Sequence, residues 1–164
     1  MFTVEDIGNE EFALQKRMPK DGYIEYRDKY LTENGLYDEW REIYKRYVFL
    51  AQNGDVEALK RALFYAWYQL SEPNWLSGIG SLPDDETRIL VDLLEKRLSN
   101  KVYDKELEQM LRYYMAVCEY YLERFYPLPF IQKTSASTED RGRPKLESGK
   151  WSYRGKMGEY WSEE

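Results

Sequence analysis

Histidine is missing from this chain of 164 residues, and cysteine occurs once. Without an imidazole, the Ser-His-Asp and Cys-His mechanisms, histidine-containing zinc sites and the Glu-x-x-His ligands of di-iron bundles are all excluded. The single Cys118 excludes an internal disulfide, and its place among apolar residues of a predicted helix marks it as a small buried hydrophobe rather than a reactive thiol. No apolar run approaches the roughly 20 residues needed to span a bilayer. The opening MFTVEDIGNEEF is acidic where a signal peptide is basic and then apolar. A cytoplasmic protein without membrane contact is the expectation. No segment has the bounded period-two alternation of a β-strand.

What remains is rich in charge and rings: 33% charged, 43% apolar and 16% aromatic residues, including 16 tyrosines. Disordered chains are poor in aromatics, and a chain of this length can bury a core without disulfide or metal staples, so a folded domain is expected. The net charge of −6 is unevenly spread. Residues 1–131 carry 17 Lys and Arg against 24 Asp and Glu, whereas residues 132–164 carry 7 against 6. An acidic body opposes nonspecific binding to nucleic acid or anionic lipid.

Helical periodicity dominates residues 1–131. Leu36, Trp40, Ile43, Tyr44, Tyr47, Leu50 and Ala51 recur at spacings of three and four until Gly54. Asp55 then offers a cap for a second helix carrying Val56, Leu59, Leu63, Ala66, Trp67 and Leu70, with Pro73 as its stop. Phe64, Tyr65 and Tyr68 lie off that face, which makes the helix apolar nearly all round and central. A third helix follows Asp84, Asp85 and Glu86, with the stripe Ile89, Leu90, Leu93, Leu94 and Leu98. A fourth is predicted from Asp104 through Phe125, closed by Pro127 and Pro129. Glu11–Arg17 and Tyr23–Thr32 are predicted as shorter helices. The fold class is therefore all-α: a bundle of about four main antiparallel helices or a short stack of αα-hairpins, with an irregular C-terminal tail. Residues 1–131 form the helical domain in this reading, and residues 132–164 a polar linker and an aromatic C-terminal segment.

The phrase LAQNGDVEALKRAL, residues 50–63, resembles the helix-turn phrasing of ankyrin and other helical repeats. It occurs once and lacks the Thr-Pro-Leu-His signature, so it describes a tight turn between helices. The loop SGIGSLPDDE has the glycines of a phosphate loop but three acids where the phosphate would sit and no lysine after them. Trp75, Leu76 and Ile79 are expected to tuck this loop onto the helices. Glu10 with Glu11, Asp84 with Asp85, and Glu119 with Glu123 one helical turn apart are the paired carboxylates that a histidine-free enzyme would use.

In the tail, Arg141, Gly142, Arg143, Pro144 and Lys145 resemble the core of the AT-hook, a peptide that lies in the minor groove of A·T-rich DNA. The resemblance covers five residues and implies DNA contact through both arginines. Glu139, Asp140 and Glu147 flank the motif and repel phosphate. Further on, WSYRGKMGEYW packs Trp151, Tyr153, Tyr160 and Trp161 into 11 residues, a density that predicts docking onto the helical body or onto a partner. The expected function is a non-catalytic helical protein-binding or regulatory domain, of the kind an immunity or inhibitor protein represents, with those four aromatics as partner-binding residues. Another protein or a second copy of the chain is the expected partner, and no cofactor or metal is expected. A DNA-associated protein and a histidine-free enzyme are the alternatives.

Overall fold

The computed structural model describes residues 1–137, 141–144 and 151–163, and among these it is all-helical, with no strand. Helix α1, Val4–Lys16, opens on a capping box: the Thr3 hydroxyl accepts the Asp6 N–H, and the Asp6 carboxylate accepts the Thr3 N–H at 2.8 Å. It is longer than its predicted span and buries Ile7, Glu11 and Leu14 along one face. Helix α2, Ile24–Glu33, leads through a left-handed Gly35 into α3, Leu36–Gln52. Asp55 caps α4, Val56–Ser71, by accepting the Ala58 N–H at 2.8 Å. As its all-round apolar pattern predicts, α4 is the central helix. It is buried continuously from Arg61 through Trp67, and it packs on α3, on α6 (Asp84–Ser99), on α7 (Lys105–Val117) and on the C-terminal segment.

Two stretches depart from the predicted outline. The fourth helix does not run to Phe125. Helix α7 ends at Val117, and Cys118 leaves helical geometry with φ −145° and ψ 79°. A turn and a short 3₁₀ segment, Glu123–Phe125, carry the chain on, so that Tyr121, Leu122 and Phe125 still reach the core from outside a helix. The apolar spacing Leu107, Met110, Leu111, Tyr114, Val117, Cys118, Tyr121, Leu122 and Phe125 on which that prediction rests encodes burial rather than helix beyond Val117, and Val117 itself is exposed.

The tail is not irregular throughout. A short helix, Pro129–Ser135, already crosses residue 131, and a further helix, Gly155–Ser162, docks against α1 and α4. These two are called α8 and α9, with the one-turn helix Asn74–Ser77 as α5. Glycines disfavour a helix in isolation, yet both glycines of α9 sit where another residue would collide. Gly155 has φ +61°, and a Cβ there would lie 1.6 Å from the Glu11 carboxylate; a Cβ on Gly158 would lie 2.0 Å from the Trp151 carbonyl oxygen. Close backbone approach, with Met157 and Trp161 burying one face, overrides local propensity.

Trp151, Met157 and Trp161 belong to the same core as the earlier helices. Rings fill the centre of that core. Trp67 stacks on Tyr114 with centroids 4.6 Å apart and meets Tyr160 at 5.3 Å; Trp161 meets Tyr113 at 5.0 Å and stacks on Trp151 at 5.8 Å. Tyr44, Tyr47, Tyr65, Tyr114 and Tyr121 are buried, while Tyr23, Tyr26, Tyr103, Tyr120 and Tyr153 are exposed. Cys118 is buried, as its sequence setting predicts. No helix among the described residues is long and apolar enough to cross a membrane.

Candidate functional site

The basic C-terminal segment meets the acidic body through two sets of charges. In the first, Arg154, just before α9, grips Glu57 of α4 with Nε at 2.8 Å and Nη2 at 2.6 Å, and reaches Glu106 of α7 at 2.7 Å. Lys60 bonds Asp104 at 3.0 Å and Glu106 at 3.1 Å. Burial alone would raise the Glu106 carboxyl, but Arg154 and Lys60 hold it below its ordinary range. Every group in this set faces an opposite charge, which is what a structural clasp between helices requires.

The second set is different. Glu11 sits in the buried stripe of α1 and is 2% exposed. Its carboxyl accepts the Tyr65 hydroxyl and the backbone N–H of Lys156, the latter at 3.3 Å. Burial pushes this carboxyl above its ordinary range against the pull of Tyr65 and Arg61. Arg61, also buried, spends its donors on Glu57 at 2.9 Å, the Tyr47 hydroxyl at 3.0 Å and the carbonyl oxygens of Val4 and Tyr153. Lys156 is 8% exposed. Its ammonium donates to the Gln15 amide oxygen at 2.9 Å and lies 4.6 Å from the centre of the Trp40 ring. Burial pulls its pKa down to about 8.

Glu11, Arg61, Trp40 and Lys156 all line one cleft of ≈ 1270 Å³, between α1, α9 and the loop that joins α1 to α2. Phe12, Leu76 and Tyr153 also line it, and these three are 66%, 46% and 88% exposed. The cleft thus has apolar side chains open to solvent at its mouth and buried charge at its floor. The expected inward tuck of Trp75, Leu76 and Ile79 holds for Ile79, which is buried; Trp75 is half-buried and Leu76 stands at the cleft.

The four aromatics singled out in the sequence separate. Trp151 and Trp161 are buried in the chain's own core. Tyr160 is half-buried, its hydroxyl 2.8 Å from that of Tyr113. Only Tyr153 of the four projects into solvent, and it does so at the cleft. Glu119 and Glu123 are exposed and lie beyond the end of α7, so no helical turn connects them. Of the Glu10–Glu11 pair, Glu10 is ion-paired with Arg46 at the surface and Glu11 points inward. The signal for Glu11 was available: Ile7, Glu11 and Leu14 stand at helical spacing, which puts an acid in an apolar stripe.

Both arginines of the AT-hook-like stretch cap helix ends. Arg141 donates to the carbonyl oxygens of Ser137 at 3.1 Å and Ala136 at 3.3 Å, at the end of α8. Arg143 donates to those of Glu163, at 2.6 Å, and Tyr160, at the end of α9, with its guanidinium 4.6 Å from the Tyr160 ring centre. A cation is favoured at a helix C-terminus because free carbonyls and the helix dipole both present negative charge there. Gly142 is exposed and Pro144 buried; Lys145 lies outside the described residues. Arg143→Ala is expected to destabilise the fold by about 1–2 kcal/mol through these lost charge-assisted bonds. That loss reads as a fall in melting temperature of roughly 3–6 °C; an unchanged melting temperature would mean the cap contributes nothing. In comparisons with known proteins, no family model matches the chain, and neither a curated protein nor a solved structure matches it.

Proposed function

We propose that the protein is a non-catalytic binding or regulatory domain that seats a segment of a partner protein in the cleft between α1 and α9. The observation that carries this reading is the mouth of the cleft, where Phe12, Leu76 and Tyr153 expose apolar and aromatic surface beside a concavity. Exposed large side chains scattered singly need no explanation, but several gathered at one concave site are what a partner's anchor residue packs against. Tyrosine suits this role because it offers a wide apolar face and a polar tip at little entropic cost. The scaffold beneath is read as stacked helical hairpins, of which α3 and α4, joined at Asn53–Asp55, are the clearest pair. Burying α4 between its neighbours gives the seat a rigid back wall through Arg61.

The test is a paired capture experiment. Wild-type protein and a Phe12→Ser/Tyr153→Ser variant are used as baits in a lysate of the protein's own cells, with bound proteins identified by mass spectrometry. Both substituted side chains are exposed, so the variant should melt within about 2 °C of wild type. Supporting results are capture of one protein by the wild type, its loss with the variant, and reconstitution of the complex from the two purified proteins. Capture that is equal for both baits, or a complex that cannot be reconstituted, sinks the reading.

A further inference from the structure

Lys156 is nine-tenths buried and yet lines the cleft. Of its three N–H donors, the described residues supply a hydrogen-bond acceptor to one, the Gln15 amide oxygen at 2.9 Å. Beyond that bond its charge is met by ring faces, Trp40 at 4.6 Å and Tyr68 at 5.9 Å, and through space by the carboxyl groups of Glu159 and Glu11, neither of which takes a hydrogen bond from its ammonium. Rings hold a cation in place without neutralising it. The neighbouring cation, Arg61, has four of its five N–H donors committed to Glu57, Tyr47 and two carbonyl oxygens. The neighbouring acid, Glu11, has its carboxyl committed to the Tyr65 hydroxyl and to the backbone of Lys156 rather than to its ammonium. Lys156 is therefore the charged group at the floor with the most donors left for a guest.

The lining as a whole is net positive. Lys16, Lys20, Arg27, Arg61 and Lys156 stand against Glu5, Glu11 and Glu159, in a chain whose net charge is −6. A cleft whose lining is net positive on a body that is net negative attracts the complementary group. We propose that the floor of the cleft is a carboxylate-reading subsite, in which the Lys156 ammonium receives an acidic side chain of the partner's segment while the apolar mouth packs the residues beside it. This rests on the reading of the cleft as a partner's seat and adds the chemistry of what enters it.

The probe is 3-phenylpropionate, a carboxylate on a short apolar body, compared with 3-phenylpropionamide, which keeps the shape and loses the charge. Binding is followed by amide and indole NMR shifts in the intact protein. The expected result is a millimolar dissociation constant for the acid, shifts confined to Trp40, Lys156 and their neighbours, and binding of the amide at least about tenfold weaker. In Lys156→Gln the preference for the acid should vanish. The comparison of the two probes on wild type needs no variant, so it holds even if Lys156→Gln fails to fold. Saturating 3-phenylpropionate should also release the partner captured by the wild-type bait. Equal binding of acid and amide overturns the proposal while leaving a partner seat that reads no charge. No cleft shifts at about 20 mM acid also overturns it. Selective binding of the acid that leaves the partner in place overturns it too, and makes the floor a site for a free organic acid instead. Failure of the partner reading itself is seen separately, as capture unchanged by the Phe12 and Tyr153 substitutions.

Discussion

Trp161→Ala is expected to lower the unfolding free energy by about 3–5 kcal/mol, the usual loss when a buried tryptophan is emptied from a core. The side chain is 4% exposed and touches Tyr113 and Tyr114 of α7 and Trp151 ahead of α9, at centroid distances of 5.0, 5.8 and 5.8 Å. The void could close only if α9 moved, and Gly158 already sits against the Trp151 carbonyl with no room for a Cβ. Met157, fully buried, would have to shift as well. Because α9 shares one core with α1, α4 and α7, the loss should appear as a lower urea midpoint within a single cooperative transition. The backbone amides of α9 in the wild type should likewise exchange with solvent nearly as slowly as those of α4. A melt in two steps with the C-terminal segment released first, or a loss below about 1 kcal/mol, would make α9 an appendage rather than part of the core.

That result bears on how much of the molecule its sequence makes legible. The stripes of α3, α4 and α6 follow the 3.6-residue period, and their stops at Gly54 and Pro73 and caps at Asp55 fall where local chemistry puts them. These helices are amphipathic or wholly buried on their own terms, so period and breaker residues suffice. The end of α7 is not legible in that way. Tyr121, Leu122 and Phe125 continue the apolar spacing after the helix has stopped, because periodicity reports which residues are buried and a turn with a 3₁₀ segment can bury the same ones. Helix α9 is hidden for the opposite reason: its glycines disfavour a helix in isolation, and the need for them exists only once Glu11 and the Trp151 carbonyl are placed against them.

The candidate site is the least legible part. Tyr153 stands in the sequence as an aromatic among aromatics, and density along the chain cannot separate it from Trp151 and Trp161, which face inward. Phe12 and Leu76 come from α1 and α5, and only the packing of α9 brings Tyr153 beside them at one cleft. The charge asymmetry between body and tail, visible in the sequence, does find its physical meaning: Arg154 pairs with Glu57 and Glu106 of the acidic body. Arg141 and Arg143 of the same basic stretch have carbonyl oxygens as partners.

Lys156 should make the protein's stability rise with pH between about 8 and 10.4, the folded and ordinary values of its pKa. At pH 7 the ammonium is protonated in both states, and burying it is a full cost to folding. Above about 8 the folded protein releases the proton while the unfolded chain keeps it. The unfolded state then binds more protons, so the unfolding free energy climbs with pH. Each pH unit adds at most ~1.4 kcal/mol, which amounts to on the order of 2 kcal/mol by pH 9.5. Other groups work in the opposite direction. The Glu11 carboxyl, raised by burial, makes stability fall as pH rises from the ordinary carboxylate range toward its folded value. Tyr65 and Tyr114, raised by burial, make it fall above the ordinary phenol value of about 10. Lys156→Met keeps the unbranched shape without the charge, so subtracting its curve from that of the wild type reports the ammonium together with its coupling to Glu11 and Glu159. The variant's advantage over wild type should shrink by about 2 kcal/mol between pH 7 and 9.5, measured by urea unfolding at each pH. Parallel curves would mean that Trp40, Tyr68, Gln15 and the nearby carboxyl groups of Glu11 and Glu159 together hold the ammonium as well as water does. If the cleft floor receives a carboxylate, saturating 3-phenylpropionate should also flatten the wild-type rise, because a bound anion restores the lysine's hold on its proton and removes the reason for the slope.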